Sequence, residues 1–176
     1  MKSPKSLLIV LAVIVAGLFL ATPALADVQL NAYEKQIVAL INKERGDRGL
    51  HAVRVNAKLV AAAGAHSAEM GRLDYFSHSS LQPTGETWSS RIVRYGYGRS
   101  GYSNWSAGED IYWGASLFSS PVACVNAWMA SSQHRAVILN RTFRDIGVGA
   151  YKTDAGFRGA SGIVWVFTLD MGHRAR

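Results

Sequence analysis

The chain has 176 residues, 49% of them hydrophobic and 18% charged, with 19 Lys and Arg against 12 Asp and Glu and a single cysteine. This balance excludes a disordered or low-complexity chain, and one cysteine excludes an internal disulfide framework. The formal charge of +7 favours anionic surroundings such as cell-wall polymers or lipid headgroups, but no basic stripe or single-strand-binding motif points to nucleic acid.

Met1 to Ala26 reads as a secretory signal. Lys2 and Lys5 make a basic start, Leu7 to Leu20 is apolar apart from Gly17, and Thr22-Pro23-Ala24-Leu25-Ala26 supplies a helix breaker and an Ala-x-Ala cleavage site. The apolar run is shorter than the ~20 residues that span a bilayer. Export to a secreted or periplasmic location, with cleavage near Ala26, is therefore expected. Taking the two lysines of residues 1–26 from the formal +7 leaves +5 on the remaining 150 residues. That is the size of one domain, 27–176, whose mature form does not span a membrane.

Asn31 and Glu34 have capping-box spacing, and Tyr33, Ile37, Leu40, Ile41 and Arg45 follow at helical intervals, which predicts a helix over 32–45. A second helix runs from Asn56 to Leu73. Leu59, Ala63, His66, Met70 and Leu73 share one of its faces, and small residues from Ala61 to Ala65 permit close approach of another backbone. Residues 74–84 form a polar, aromatic loop, and a short helix carries Trp88, Ile92 and Tyr95. Residues 96–106, rich in Gly, Tyr and Ser, read as ordered but irregular. Ser120-Pro121 starts another helix with the stripe Val122, Val125, Trp128 and Met129. After a turn at 131–133, one or two helical turns cover 134–139. The period then changes: 145–151 and 163–169 read as strands joined through a glycine-containing hairpin, and 173–176 as a solvated tail. Helices early and strands late predict an α+β fold, with helices packed on a mainly antiparallel sheet.

Of the five histidines, His66 belongs to an apolar helix face and reads as a hydrogen-bonded core residue, while His51 and His173 lack a neighbouring ligand pattern. His78 and His134 each lie where a polar loop meets a structured element, a usual place for sites. Glu109 is a carboxylate in an apolar, Gly-flanked stretch, which demands a partner or a cavity. No compact metal signature such as HExxH is present. Cys124, among Val122, Val125 and Trp128, reads as a buried inert thiol. The aromatic cluster from Tyr95 to Trp113 offers rings for core packing, or for a cleft wall that could stack on sugars or cover a lipid.

Four segments in register carry a family resemblance: Phe76-Ser77-His78-Ser79, Gly108-Glu109-Asp110-Ile111, Trp128-Met129-Ala130-Ser131-Ser132-Gln133-His134-Arg135 and Ile146-Gly147-Val148-Gly149. Together with Leu40 to Arg45 and Ala65 to Met70, they resemble the bacterial branch of the CAP superfamily of cysteine-rich secretory, antigen 5 and pathogenesis-related 1 proteins. The resemblance spans about Leu30 to Leu169. It implies an SCP-like extracellular domain, an α-β-α sandwich with an open cleft lined by two histidines and two glutamates, where some members bind a divalent metal such as zinc. His78, His134 and Glu109 match three of these four positions. Ser131 stands at the fourth, Asp110 replaces an Asn after the first glutamate, and Val137 replaces another after His-Arg.

Two imidazoles and one carboxylate would suit zinc, with one position left open; alternatively, Glu109 would orient a histidine. With Ser131 unable to act as a carboxylate base, binding is favoured over catalysis. The sequence therefore points to a secreted domain binding a lipid or cell-wall component, with a divalent metal as a further expectation. The alternatives are a metal-dependent extracellular hydrolase and a non-catalytic module binding a protein partner.

Overall fold

Asn31 starts the first helix: its side chain accepts from the Tyr33 and Glu34 amides, and Glu34 Oε2 accepts in return from the Asn31 amide. The other Glu34 oxygen accepts from the Ala150 amide, so the same cap docks the helix on the sheet. The computed structural model describes residues 28–176, and the expected signal at 1–26 lies outside them. Its elements are α1 (Ala32–Gly46), β1 (Arg54–Val55), α2 (Ala57–Leu73), α3 (Trp88–Arg94), β2 (Asn104–Ala115), a 3-10 turn (Ser116–Phe118), α4 (Pro121–Ala130), α5 (Ser132–Ile138), β3 (Asp145–Thr153) and β4 (Val164–Ala175). Among the described residues, no helix is long and apolar enough to cross a membrane.

The four strands lie in the order β1-β3-β4-β2, with β1 parallel to β3 and both other pairings antiparallel. The alternation of β4 sorts the layers. Phe167, Leu169 and Met171 pack with Ile37 and Ile41 of α1 and with Cys124, Val125 and Trp128 of α4. Val164 and Val166 pack instead with Met70 of α2, Tyr75, Ile111 and Phe157. Leu59 and Ala62 of α2 cluster with Ile92 of α3 and Tyr97. The result is the α-β-α sandwich, α+β in class, that the sequence predicts.

Glycines set how closely α2 approaches. A methyl group on Gly147 would overlap the backbone at Leu59 and Val60, and one on Gly149 would overlap Ala63 and Gly64. These strand glycines face the small-residue side of α2. Arg45, on the periodic face of α1, is fully buried and donates to the carbonyls of His51, Ile138, Asn140 and Phe143, which ties the loops to the helix.

Five details depart from the sequence reading. Residues 104–106 begin a twelve-residue strand, β2, rather than ending an irregular segment, and β1 is a further strand. Residues 173–175 are no solvated tail: β4 continues to Ala175 and pairs with Asn104, Trp105 and Ser106, while the Arg174 guanidinium covers the Tyr97 and Tyr102 rings at 4.1 and 4.5 Å. Leu73 is 55% exposed, outside the buried face of α2. The expected turn at 131–133 shrinks to Ser131, which ends α4 and starts α5.

Candidate functional site

Glu109 sits in β2 directly opposite Asp170 of β4, and the pair is on the sheet face that α2 and α3 cover. Its carboxylate is fully buried and has two partners. Oε2 accepts from Arg91 Nη2 at 2.6 Å, and Oε1 lies 2.8 Å from His78 Nδ1. A carboxylate oxygen only accepts, so Nδ1 carries the proton and Nε2 is left as the free nitrogen of a half-exposed ring. The expectation that Glu109 needs a partner is met twice, by a buried guanidinium and by an imidazole.

The loop carrying His78 is held from beneath. Arg91 Nη2 also donates to the His78 carbonyl at 3.0 Å, and buried His66 donates through Nε2 to the Ser77 carbonyl at 2.8 Å. His66 is thus the core histidine the helix face predicts, and it also positions the site loop. Burial lowers its pKa, against the opposing pull of Glu109, so it holds Ser77 as a neutral donor. His134, half-buried in α5, lies close enough to His78 for that ring to add to the burial that lowers its own pKa. His78 is tied to β2 through Glu109, and α5, which carries His134, packs on the same strand at Gly108, at one edge of the sheet.

Arg91 and Asp170 do not stand out in the sequence. Arg91 is 1% exposed on α3, and its Nε and Nη1 have no hydrogen-bond partner. Its signal is an arginine one turn from both Trp88 and Tyr95, on the apolar side of a short helix. Asp170 is fully buried, with both oxygens unpartnered; burial first, then Glu109, pushes its pKa well up. Asp110, next to Glu109, is driven up to about 8, by burial first and by Glu109 second.

The donor set does not fit the three-ligand metal centre considered from the sequence. Both Glu109 oxygens are already engaged, one by a cation, and among the described residues no group of three or more His, Cys, Asp or Glu could hold a metal ion. Glu109 is placed instead as the orienter of His78, with Arg91 supplying the positive charge that a buried carboxylate requires. Ser131, at the position of the family's second glutamate, ends α4 by donating its amide to the Ala127 and Trp128 carbonyls.

The remaining candidates are buried or partly buried. Cys124 is fully buried, and its thiol pKa is raised by burial and by Asp110. Of the aromatics from Tyr95 to Trp113, Tyr97 is buried and donates to Asp145 at 2.8 Å, while the others are partly buried, Trp113 meeting Phe157 edge to face. Trp105 is half-buried and donates to the Tyr97 carbonyl.

Known proteins share this fold. The model of the cysteine-rich secretory protein family, CAP, matches residues 38–169. An uncharacterized protein of Bacillus subtilis, YkwD, is 37% identical over 128 residues, covering 73% of this chain and 46% of its own length. An extracellular protein containing an SCP domain from Bacillus anthracis superposes with a TM-score of 0.60 at 28% identity, covering 80% of this chain and 40% of its own. An outer surface protein from Borrelia burgdorferi has the same fold, with a TM-score of 0.61 at 20% identity over 80% of this chain and 91% of its own. The chain thus spans less than half the length of the two Bacillus proteins.

Proposed function

Because this chain belongs to the cysteine-rich secretory protein (CAP) family, we propose that it is an extracellular binding domain. His78 and His134 present a ligand site that Glu109 and Arg91 hold in place. The ligand is a lipid or a cell-wall component. Export through the signal at 1–26 is part of the proposal, and the described extracellular setting of the Bacillus anthracis protein supports it.

The observation that carries the reading is the chain of contacts from Arg91 through Glu109 to His78. A buried guanidinium–carboxylate pair is costly to assemble and strongly destabilising to break. Here it fixes the tautomer of a half-exposed ring and leaves its Nε2 without a partner in the protein. Nε2 of His78 then accepts a hydrogen bond from a ligand hydroxyl, amide or ammonium, with His134 as a second contact. Glu109, with both oxygens occupied, is not free to act as a base toward water, which supports a reading of binding over one of hydrolysis.

The test is sedimentation of the purified protein with bacterial cell walls and, separately, with phospholipid vesicles. Loss of one ligand hydrogen bond predicts about 3- to 10-fold weaker binding to one of these materials for His78→Ala and for His134→Ala. The thermal midpoint should stay close to wild type in His134→Ala and fall in His78→Ala, which also removes a partner of the buried Glu109 carboxylate, so binding is compared below both midpoints. Unchanged binding in both variants would remove the proposal.

A further inference from the structure

A groove of about 780 Å3 runs along α3 beside the loop that carries His78, lined by Glu69, Ser80, Thr84, Glu86, Ser90 and Arg94. Its walls are hydroxyls, carboxylates and one guanidinium, with no large apolar side chain. Two of its three charges pair with each other: Arg94 Nε and Nη2 bind the two Glu86 oxygens at 2.6 and 2.8 Å. Glu69 accepts from Ser80 Oγ at 2.8 Å through Oε2, which leaves Oε1 as an open acceptor toward the groove. Behind these two residues lies Tyr75, 6% exposed, whose hydroxyl has no hydrogen-bond partner. Burial first and Glu69 second push its pKa up to about 12, so it remains a proton donor. A second depression, of about 410 Å3, shares Ser90 and Arg94 with the groove and adds Trp105 and the half-exposed Val93.

Polar groups in a groove of this size fix a ligand's orientation and class. An acyl chain would desolvate hydroxyls and carboxylates without replacing their hydrogen bonds. An anion would meet Glu69, and a cation would find that carboxylate alone, since Glu86 is already held by Arg94 and the rest of the lining is uncharged. What remains is an uncharged molecule rich in hydroxyls, with apolar C–H faces for the side on which Trp105 stands. We propose that the groove along α3 binds a neutral glycan chain, its hydroxyls held by Glu69, Ser80, Thr84 and Ser90 and its far end resting at Trp105. This site is separate from the His78 site and takes from the proposed function only its extracellular setting.

The test is titration of the purified protein with tetra-N-acetylchitotetraose and with maltotetraose, followed by amide chemical shifts and calorimetry. Saturable shifts at Ser80, Gly85 and Ser90 are expected with at least one of the two sugars. Affinity should fall about 10-fold in Glu69→Gln, which removes a charge-assisted acceptor. It should fall at least that far in Ser90→Trp, which fills the junction of the two depressions from an exposed helix position, and it should be unchanged in His78→Ala. No shifts with either sugar would overturn the proposal, as would full affinity in Ser90→Trp or tetralysine binding as well as the sugars. Sugar binding lost only in His78→Ala would also overturn it, while leaving the proposed function standing. Wall binding that depends on His78, with both tetrasaccharides silent, would have the same meaning.

Discussion

Replacing Arg91 by methionine keeps most of the side-chain volume but leaves Glu109 buried without its cation. The expected cost is about 3–5 kcal/mol of unfolding free energy. Adding Glu109→Gln to that variant should recover a large part of it, since a neutral amide carries a far smaller desolvation penalty. Denaturant unfolding of wild type, single and double variants measures this, and a single variant as stable as wild type would refute the clamp. Asp110 gives a pH-dependent counterpart. Its folded pKa of about 8 lies above the ordinary aspartate value of 3.8, so over that window the unfolded chain ionises the group while the native protein holds the proton. Proton binding then favours the native state, and this residue's contribution to stability falls as pH rises from about 4 to 8. Asp110→Asn should therefore raise the thermal midpoint at pH 8 by more than at pH 5. Equal shifts at the two pH values would show that Asp110 titrates normally. His78, Glu109 and His134 were legible as candidates because a polar group in an apolar or loop-edge setting stands out in sequence. The partner of Glu109 was not legible, because an arginine on a seven-residue helix looks like a solvated charge until the helix is folded against β2.

At the scale of elements, periodicity found α1, α2, α4 and the β3–β4 pair, since each has one long apolar face. It missed β2, whose residues from Asn104 to Ala115 mix glycine, acids and aromatics and alternate poorly. Both faces of this strand meet protein, so burial demands no simple period there. The tail was misread for a similar reason: His173, Arg174 and Ala175 are polar or small, and only pairing with β2 makes them strand. Gly147 shows how one element's composition answers another's. Gly147→Ala would push a methyl group into the α2 backbone at Leu59 and Val60. Backbone yields less readily than side chains, so a loss at or above the upper end of the usual ~1–3 kcal/mol overpacking range is expected. Thermal unfolding of Gly147→Ala beside Gly46→Ala, where a methyl group meets nothing within 4 Å, separates this contact from a general glycine effect. Equal losses would mean that α2 does not sit as closely on β3 as described.

For the whole molecule, the sandwich sets the loop after α2 against the middle of β2 and packs α5 on the same strand. None of these meets another through local sequence, which is why spacing alone does not join them and only the family's ordered motifs suggest a shared site. What the family pattern did not convey is the internal cation. Arg91 occupies the electrostatic role that a metal would fill beside Glu109, and the fold commits both carboxylate oxygens before any ligand arrives. The most direct measurement is a crystal structure of the protein soaked in zinc, with anomalous data collected at the zinc edge. Glu109 is expected between His78 Nδ1 and Arg91 Nη2, with no zinc bonded to either of its oxygens. A zinc ion held jointly by Glu109, His78 and His134, with Arg91 displaced, would contradict the role assigned to Arg91.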